Sequence, residues 1–303
     1  MTLTDLQKEI LKLKKEKGAV ILAHSYQTPD ILEIADFTGD SFKLSTIAKD
    51  LKENLVILCG VKFMAETVKI LSPEKTVIMP VPEATCPMAE QISPERVKAF
   101  KEENPDVAVV AYINTTAALK ACCDVCVTSS SALKIVNNID AKKILFIPDK
   151  NLGSFIKDKV KDKEVILWDG YCPVHNEIIE EECVKAKALH PEAKLLMHPE
   201  IPLESVKYAD VTGSTADIIN YALNNDEDCI IGTELAVLQY LKLKRPERNY
   251  YPLSKKLICA DMKLTTLTDV YNALKGNGEE VILPEDLRLK AKKPIDAMIK
   301  LGS

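Results

Sequence analysis

Three stretches of the sequence share one pattern, and this pattern decides the fold. They are AVILAHSYQTPDILEIADFTGDS from Ala19 to Ser41, VVAYINTTAALKACCDVCVTS from Val109 to Ser129, and LLMHPEIPLESVKYADVTGST from Leu195 to Thr215. In each stretch an apolar run ends in a polar aromatic residue, an Asp follows twelve residues later, and a hydroxyl side chain follows five residues after that. No gap is needed to align the three, and such a fixed period is typical of a domain repeated along the chain.

The second half of each repeat has the pattern of a strand followed by a helix. The stretches LVILCGVKFMAETVKIL, KILFIPDKNLGSFI and CIIGTELAVLQYL each begin with a short apolar run, turn at Gly or Pro, and continue with helical spacing. A further apolar stretch then leads to or towards a cysteine in each repeat; the three stretches are TVIMPVP, EVILWDG and KLICADM. Strands that alternate with helices indicate parallel sheets covered on both faces. The sequence therefore predicts an α/β fold in which a small domain with a parallel sheet is repeated three times.

The period divides the chain into three α/β repeats and a tail. We expect the repeats to span residues 1–88, 89–174 and 175–261. The remaining segment, 262–303, contains a helical pattern near Leu267 to Leu274, a strand pattern (EEVILP) and a terminal helical pattern. This segment is a candidate to complete one of the earlier domains.

Composition and charge argue against several functional classes. The formal net charge is −5 and the isoelectric point is near 5.6, so there is no basic excess for binding nucleic acid. No apolar run approaches the ~20 residues of a membrane-spanning helix. The start, MTLTDLQKEILKLKKEK, has the pattern of a charged amphipathic helix rather than of a secretion signal. The nine cysteines are therefore expected to be thiols in a reducing compartment, the cytoplasm.

Polar side chains recur at the ends of the predicted strands. The residues that end the first strand of each repeat are His24, Tyr112 and His198, and those two positions further on are Tyr26, Asn114 and Glu200. The hydroxyl residues after the second strand are Ser41, Ser129 and Thr215. Ligands bind at the carboxyl ends of parallel strands, where helix N-termini also point, so we expect one shared pocket. The aspartates of the pattern are expected to hold the turn before the second strand instead; they are Asp36, Asp124 and Asp210.

Three cysteines have nearly the same spacing as the repeats. Cys86, Cys172 and Cys259 lie 86 and 87 residues apart, and each follows an apolar segment. Three distant thiolates could hold zinc with a fourth ligand, for which His175 and His190 are available, or an iron–sulfur cluster with one iron lacking a protein ligand. Structural zinc sites take four ligands, typically at short local spacings. The long spacing therefore favours a [4Fe-4S] cluster with one open iron.

The other six cysteines are predicted to be buried core thiols. They are Cys59, Cys122, Cys123, Cys126, Cys183 and Cys229. Cys123 and Cys126 have the CxxC spacing of a redox pair or of half a zinc site. No second CxxC accompanies it, which favours the structural interpretation.

Ordered motifs along nearly the whole chain resemble those of the A-type quinolinate synthase family. The matching strings include AHSYQ, IADFTGDS, ATCPMA, VAYINTTA, IPDKNLG, GYCPVH, ADVTGST, IGTE and CADMK. The resemblance implies an α/β fold of three pseudo-threefold-related α/β/α domains with parallel sheets, with the active site and the cluster at their junction. It also implies an enzyme of NAD biosynthesis, a transferase that condenses iminoaspartate with dihydroxyacetone phosphate to quinolinate and releases phosphate and water. It also implies that Cys86, Cys172 and Cys259 ligate a [4Fe-4S] cluster whose open iron acts as a Lewis acid.

The resemblance also implies roles for the polar residues. The substrate-binding set would be His24, Ser41, Tyr112, Asn114, Ser129, His198, Glu200 and Thr215, with Tyr26 beside it. Glu200, His24 and His198 are candidate acids or bases for proton transfer. Tyr26 and Tyr112 are candidate donors to a developing oxyanion. The expected partners are the two small substrates and, transiently, the enzyme that supplies iminoaspartate; no nucleic acid or membrane is expected.

Two alternatives belong to other functional classes. One is a different [4Fe-4S] hydro-lyase, which would use the same open iron to dehydrate a hydroxy acid. The other is a metal-binding sensor protein that holds zinc or a cluster. A sensor would need an effector surface or a nucleic-acid-binding stripe, which the acidic charge balance does not favour.

Overall fold

The computed structural model describes residues 4–302 of the protein. This part of the chain forms two compact units. One comprises the residues up to Cys86 together with Cys259–Leu289, and the other comprises Pro87–Ile258 and the residues from Lys290 onwards. The predicted α/β class with parallel sheets is confirmed. The division into repeats at 1–88, 89–174 and 175–261 stays a prediction.

The first unit contains one sheet of five strands. The strands are β1 (Ala19–His24), β2 (Phe37–Gly39), β3 (Leu55–Cys59), β4 (Thr76–Met79) and β13 (Glu279–Glu280), in the order β13–β4–β3–β1–β2. The helices are α1 (Asp5–Lys17), α2 (Pro29–Ile34), α3 (Ser41–Asp50), α4 (Lys62–Leu71) and α13 (Leu267–Asn272). The strands pair in parallel, except that β13 runs antiparallel to β4. The strand of the tail is thus shorter than the EEVILP pattern predicted, and it extends this sheet.

The second unit contains two sheets of four strands each. The strands of one are β5 (Val107–Tyr112), β6 (Val125–Val127), β7 (Lys143–Ile147) and β8 (Glu164–Leu167). Those of the other are β9 (Lys194–Met197), β10 (Val211–Thr212), β11 (Cys229–Gly232) and β12 (Tyr250–Pro252). The helices are α5 (Pro94–Glu103), α6 (Ala117–Lys120), α7 (Ala132–Asn138), α8 (Lys150–Lys159), α9 (Glu180–Leu189), α10 (Leu203–Val206), α11 (Thr215–Asn224) and α12 (Ala236–Lys244).

The remaining helical segments are short, apart from the last one. Helix α14 (Glu285–Gly302) begins in the first unit and continues in the second. The 3-10 turns are Pro87–Glu90, His175–Glu177 and Asp261–Lys263, and a π-turn covers Ala273–Asn277. Between residues 4 and 302, every helix is too short or too polar to cross a bilayer.

All three sheets share one strand order. The second strand of the repeat lies at an edge, followed by the first, the third and the fourth: β2–β1–β3–β4, β6–β5–β7–β8 and β10–β9–β11–β12. Strand β1 is buried at every residue, which explains why its sequence is continuously apolar rather than alternating. In the third sheet, β12 lies at residues 250–252 and the KLICADM stretch forms no strand. Parallel order places the carboxyl ends of these strands at one edge of each sheet.

An aspartate ties the first strand of each repeat to the helix that precedes it. Asp36 accepts the backbone N–H of Ile21 at 2.8 Å and Lys14 Nζ at 2.7 Å. The equivalent pairs are Val109 and Lys101 for Asp124, at 2.8 and 2.6 Å, and Leu195 and Lys187 for Asp210, at 2.8 and 2.9 Å. As the sequence predicted, these aspartates hold the turn that leads into the second strand.

The pKa of Asp210 reflects this arrangement. Partial burial opposes ionisation of the carboxyl group, but the backbone N–H of Leu195 and the ammonium of Lys187 outweigh it. The pKa of Asp210 is therefore lower than that of a free aspartate.

A second repeated contact satisfies the carbonyl groups at the end of one helix in each repeat. Lys75 Nζ donates to the backbone oxygens of Leu51 and Glu53, after α3. Lys163 does the same after α7, and Arg245 does so at the end of α11. Such carbonyl groups have no partner within their helix and carry partial negative charge, so a cation stabilises them.

Candidate active site

In the first unit, two polar aromatic residues lie together at the carboxyl end of β1. His24 is the last residue of this strand, and the rings of His24 and Tyr26 meet edge to face with 4.5 Å between their centroids. The backbone N–H of Tyr26 donates to His24 Nδ1 at 3.1 Å. Because Nδ1 accepts this bond, the neutral His24 ring carries its proton on Nε2. Ser41 is the buried first residue of α3, which Asp40 caps.

In the second unit, a buried carboxylate is surrounded by polar rings. Tyr112 ends β5, His198 follows β9 directly, and Glu200 lies two residues further on. The Glu200 carboxylate accepts a hydrogen bond from the Tyr112 hydroxyl and lies 2.8 Å from His175 Nδ1. Glu200 is only 4% exposed. The structure thus brings together Tyr112, His198 and Glu200 from two sheets, and it adds His175.

The hydrogen bonds assign the tautomers of both histidines. His198 Nδ1 accepts the backbone N–H of Glu200 at 3.3 Å, so the neutral His198 ring carries its proton on Nε2. His175 Nδ1 faces a carboxylate, which only accepts, so in the neutral His175 ring the proton lies on Nδ1. His175 Nε2 then accepts from the Thr233 hydroxyl at 3.0 Å. The two rings are stacked with 5.0 Å between their centroids.

Burial and neighbouring groups set the charges at this site. Burial lowers the pKa of His198 to about 4, so its ring is neutral at pH 7. Burial opposes ionisation of Glu200, but the adjacent His198 and His175 rings and the Tyr112 hydroxyl outweigh it. The pKa of Glu200 therefore stays below its ordinary value, and Glu200 is an anion at neutral pH.

The thiol of Cys172 lies beside His175 and Glu200. Cys172 Sγ is 3.3 Å from His175 Nδ1, and the ligand atoms of Cys172, His175 and Glu200 all lie within 4.8 Å of one another. A thiolate, an imidazole and a carboxylate are all metal ligands. A metal bound to Cys172 would therefore lie next to a buried anion, the carboxylate of Glu200.

The other predicted polar residues of the second unit follow strand ends but differ in local structure. Asn114 is half-buried and follows β5 by two residues. Thr215 is the buried first residue of α11, as Ser41 is of α3. Ser129 instead lies half-buried in a turn, because α7 begins only at Ala132. The second repeat therefore departs from the helix-start pattern of the other two.

The three repeat-spaced cysteines follow loops that are anchored in the same way. In each repeat, the backbone oxygen two residues before the cysteine accepts the N–H at the start of the second-half helix. The bonds are Lys62 to Ala84 at 2.9 Å, Lys150 to Gly170 at 2.7 Å and Leu235 to Leu257 at 2.8 Å. Cys86, Cys172 and Cys259 are all half-buried. The repeats thus place the three thiols at equivalent positions, each accessible to a ligand.

The remaining cysteines have a different environment. All are buried except Cys122, which is half-buried and in this respect departs from the prediction. Burial raises the pKa of Cys59 and Cys126 to about 12, and that of Cys183 and Cys229 to about 11. Burial also raises the pKa of the Cys122 and Cys123 thiols. These groups are protonated at neutral pH, which makes them poor metal ligands.

Comparison with known proteins identifies the family. The family model described as quinolinate synthetase A protein matches residues 8–300. The chain belongs to the quinolinate synthase family. It is 50% identical over 299 residues to the quinolinate synthase of Clostridium perfringens strain 13, which covers 98% of this chain and 99% of that protein. It is 46% identical over 303 residues to the quinolinate synthase of Caldicellulosiruptor saccharolyticus, with 100% of both chains covered.

For this member of the quinolinate synthase family, sequence reasoning considered His175 only as a fourth ligand for zinc and did not place it beside Glu200. Its signal was the CPVH string, because Cys172 and His175 have the Cys-x-x-His spacing of metal ligands. Asp149 and Asn151 were missed, although both lie in the IPDKNLG motif. Asn151 Nδ2 donates to the backbone oxygen of Glu200 at 2.9 Å, and Asp149 contacts the Cys172 backbone.

Proposed function

We propose that the chain is a quinolinate synthase of NAD biosynthesis. In this proposal it condenses iminoaspartate with dihydroxyacetone phosphate and releases phosphate and water as quinolinate forms, which makes it a carbon–carbon-bond-forming transferase. The observation that carries the proposal is the position of the Cys172 thiol beside His175 and the ionised Glu200. Family membership supports the choice of substrates.

Cys86, Cys172 and Cys259 are the residues we assign to a [4Fe-4S] cluster with one open iron. Three features support this assignment: the repeat spacing, the shared half-buried environment and the equivalent anchoring of the three loops. The six other thiols lack the repeat spacing and the equivalent loop, although Cys122 is also half-buried. When bound, the cluster would supply an electrophilic iron that polarises a departing oxygen of the substrate.

The polar residues would bind and orient the substrates. In His24 and His198, Nδ1 accepts a backbone N–H, so the proton of each neutral ring lies on Nε2, which is a hydrogen-bond donor. Such donors suit the carboxylates of iminoaspartate and the phosphate of the second substrate. The remaining residues assigned to substrate binding supply hydroxyls, an amide and helix starts; they are Ser41, Tyr112, Asn114, Ser129 and Thr215.

Glu200 is the group we assign to proton transfer. It is an anion at neutral pH, whereas His198 is neutral and has its free nitrogen protonated. Glu200 can therefore accept a proton, while His198 as observed can only donate a hydrogen bond through Nε2. The Tyr112 hydroxyl donates a hydrogen bond to Glu200. We assign it a second role, in which the same hydroxyl donates instead to an oxyanion that develops on the substrate. Tyr26 is assigned the same oxyanion role beside His24.

We place the enzyme in the cytoplasm, where its nine cysteines would stay reduced. Its partners would be the two small substrates and, transiently, the enzyme that supplies the unstable iminoaspartate.

The test is an anaerobic preparation analysed for iron and sulfide, followed by a quinolinate assay with iminoaspartate and dihydroxyacetone phosphate. We expect about four irons and four sulfides per chain, the composition of one [4Fe-4S] cluster, and formation of quinolinate. A cluster without quinolinate formation would indicate another hydro-lyase. Stoichiometric zinc in a colourless protein would indicate a metal-binding sensor.

A further inference from the structure

The amide and carbonyl groups around Cys172 are held by the start of α8. Asp149 caps this helix: its Oδ1 accepts the backbone N–H of Leu152 at 2.7 Å. Its other oxygen, Oδ2, accepts the backbone N–H of Cys172 at 3.0 Å. The next residue, Lys150, donates its backbone N–H to Gly170 O at 2.7 Å. The Asp149 side chain is fully buried, so water does not compete for these bonds.

Gln91, from another segment, binds Tyr171, the residue between Gly170 and Cys172. The Gln91 carboxamide accepts the backbone N–H of Tyr171 at 2.8 Å and donates to the backbone oxygen of Tyr171 at 3.0 Å. The backbone oxygen of Cys172 accepts the N–H of Asn176 at 2.9 Å. Every backbone polar group from the oxygen of Gly170 to the oxygen of Cys172 therefore has a partner.

Gly170 shows how closely this loop is packed. A Cβ atom at this position would lie 2.4 Å from the backbone oxygen of Pro148 and 2.8 Å from Gln91 Oε1. The contact with the Pro148 carbonyl is far below van der Waals distance, so no side chain fits without a shift of the backbone. The loop before Cys172 thus lies directly against the residues that begin α8.

We propose that Asp149, supported by Gln91, is a positioning residue that holds the Cys172 loop in the conformation for binding metal. This inference rests on the proposed role of Cys172 as a cluster ligand. All five hydrogen bonds are made to the backbone of residues 170–172, so they hold the loop without using the Cys172 side chain. A ligand held in place in advance loses little conformational freedom on binding and dissociates less often. Asn151, two residues after Asp149, binds the backbone of Glu200, so the same helix start positions both the thiol and the carboxylate.

An aspartate is required here for a specific reason. Asparagine is as good a helix cap as aspartate, so Asp149→Asn keeps an acceptor for Leu152 N–H. Its Nδ2 would then face the N–H of Cys172, and two donors cannot bond each other. Asp149→Asn therefore removes the tether to Cys172 while preserving the cap of α8.

The first measurement uses cluster-free protein and hydrogen exchange at single amides. We expect the amides of Tyr171 and Cys172 to be protected in the unmodified chain. In Asp149→Asn the Cys172 amide should exchange roughly tenfold faster, the effect of losing about one backbone hydrogen bond. Gln91→Met should speed exchange at Tyr171 about two- to threefold, because Gln91 is exposed and water competes for its bonds.

The second measurement uses the anaerobic holoprotein and follows iron release to a chelator. We expect Asp149→Asn to release iron roughly tenfold faster than the unmodified protein. The matched control is Asp124→Asn. Asp124 also accepts a backbone N–H, but from Val109 in β5 and not from the Cys172 loop. The control should keep the original rate within about twofold. Thermal melting identifies a variant that fails to fold, and in that case Gln91→Met carries the test.

The outcomes separate this inference from the proposed function. Unchanged exchange at Cys172 in Asp149→Asn would overturn the tether. Faster exchange with unchanged iron release would overturn its role in holding the ligand. An unmodified protein that binds no cluster would instead refute the proposed function, and the exchange experiment would still report on the tether.

Discussion

Replacing Glu200 by glutamine tests the proposed proton transfer most directly. The carboxylate has two oxygens that accept bonds, from the Tyr112 hydroxyl and from His175 Nδ1–H. Glutamine has one acceptor oxygen, and its NH₂ group would face one of these two donors. The buried donor left without a partner should cost about 1–3 kcal/mol of stability. The variant should therefore fold and retain its cluster.

The catalytic effect should be larger than the structural one. Loss of a general acid or base commonly reduces turnover about 10²- to 10⁴-fold, which corresponds to about 3–5 kcal/mol of transition-state stabilisation. We expect kcat for quinolinate formation to fall within that range in Glu200→Gln. The assay is anaerobic turnover with iminoaspartate and dihydroxyacetone phosphate, with iron content measured on the same sample.

A matched control comes from the same segment. Glu204 lies four residues after Glu200, in α10, and is exposed, so Glu204→Gln makes the same chemical change outside the buried cluster. This variant should keep kcat within about twofold, as expected for a surface substitution. If Glu200→Gln also turned over at the original rate with a full cluster, Glu200 would have no role in proton transfer.

Three further predictions concern the metal, the histidine and the fold. Cys172→Ser should lose iron, sulfide and turnover, whereas Cys183→Ala should keep the iron content of the original protein; retained iron in Cys172→Ser would contradict the ligand assignment. Thr233→Val removes the hydroxyl that binds His175 Nε2, so it should cost about 1 kcal/mol of stability and lower kcat. An unchanged kcat together with an unchanged pH–rate profile would show that this bond does not position the ring. Asp210 has a lowered pKa in the folded protein, so it stabilises the fold above the unfolded pKa of about 4 and stops doing so as the pH falls through its folded pKa. Denaturant unfolding should therefore show Asp210→Asn less stable by about 1 kcal/mol at pH 7 but equal at low pH, and a gap that does not depend on pH would disprove the charge argument.

Periodic features were predictable because they depend on local pattern and on repetition. The apolar run AVILAH and its counterparts indicated buried parallel strands, and the structure places His24 and Tyr112 at the last residue of such strands. The helical spacing in LVILCGVKFMAETVKIL and KILFIPDKNLGSFI indicated helices after the turns, and these are α4 and α8. The regular position of Asp36 and its equivalents indicated a turn that is held in the same way in each repeat, and the contacts show it.

Other features were not predictable because a single copy departs from the pattern. Ser129 has the same position in its repeat as Ser41, but it lies in a turn and α7 begins only at Ala132. The KLICADM stretch is as apolar as the strands of the other repeats, yet β12 forms earlier, at Tyr250–Pro252. Leu257 in that stretch is fully buried in the hydrophobic core of the third sheet without pairing as a strand.

The sequence by itself determined the α/β class, the threefold pattern and the positions at which polar groups and thiols recur, because these depend on spacing along the chain. Only the tertiary structure decided that His175 lies between Cys172 and Glu200, and that Asp149 bonds the amide of Cys172. The physical reason is that these contacts join residues from different elements through side-chain geometry. The spacing of residues along the chain does not predict the distance between two side chains, how deeply they are buried, or which nitrogen of a histidine is protonated.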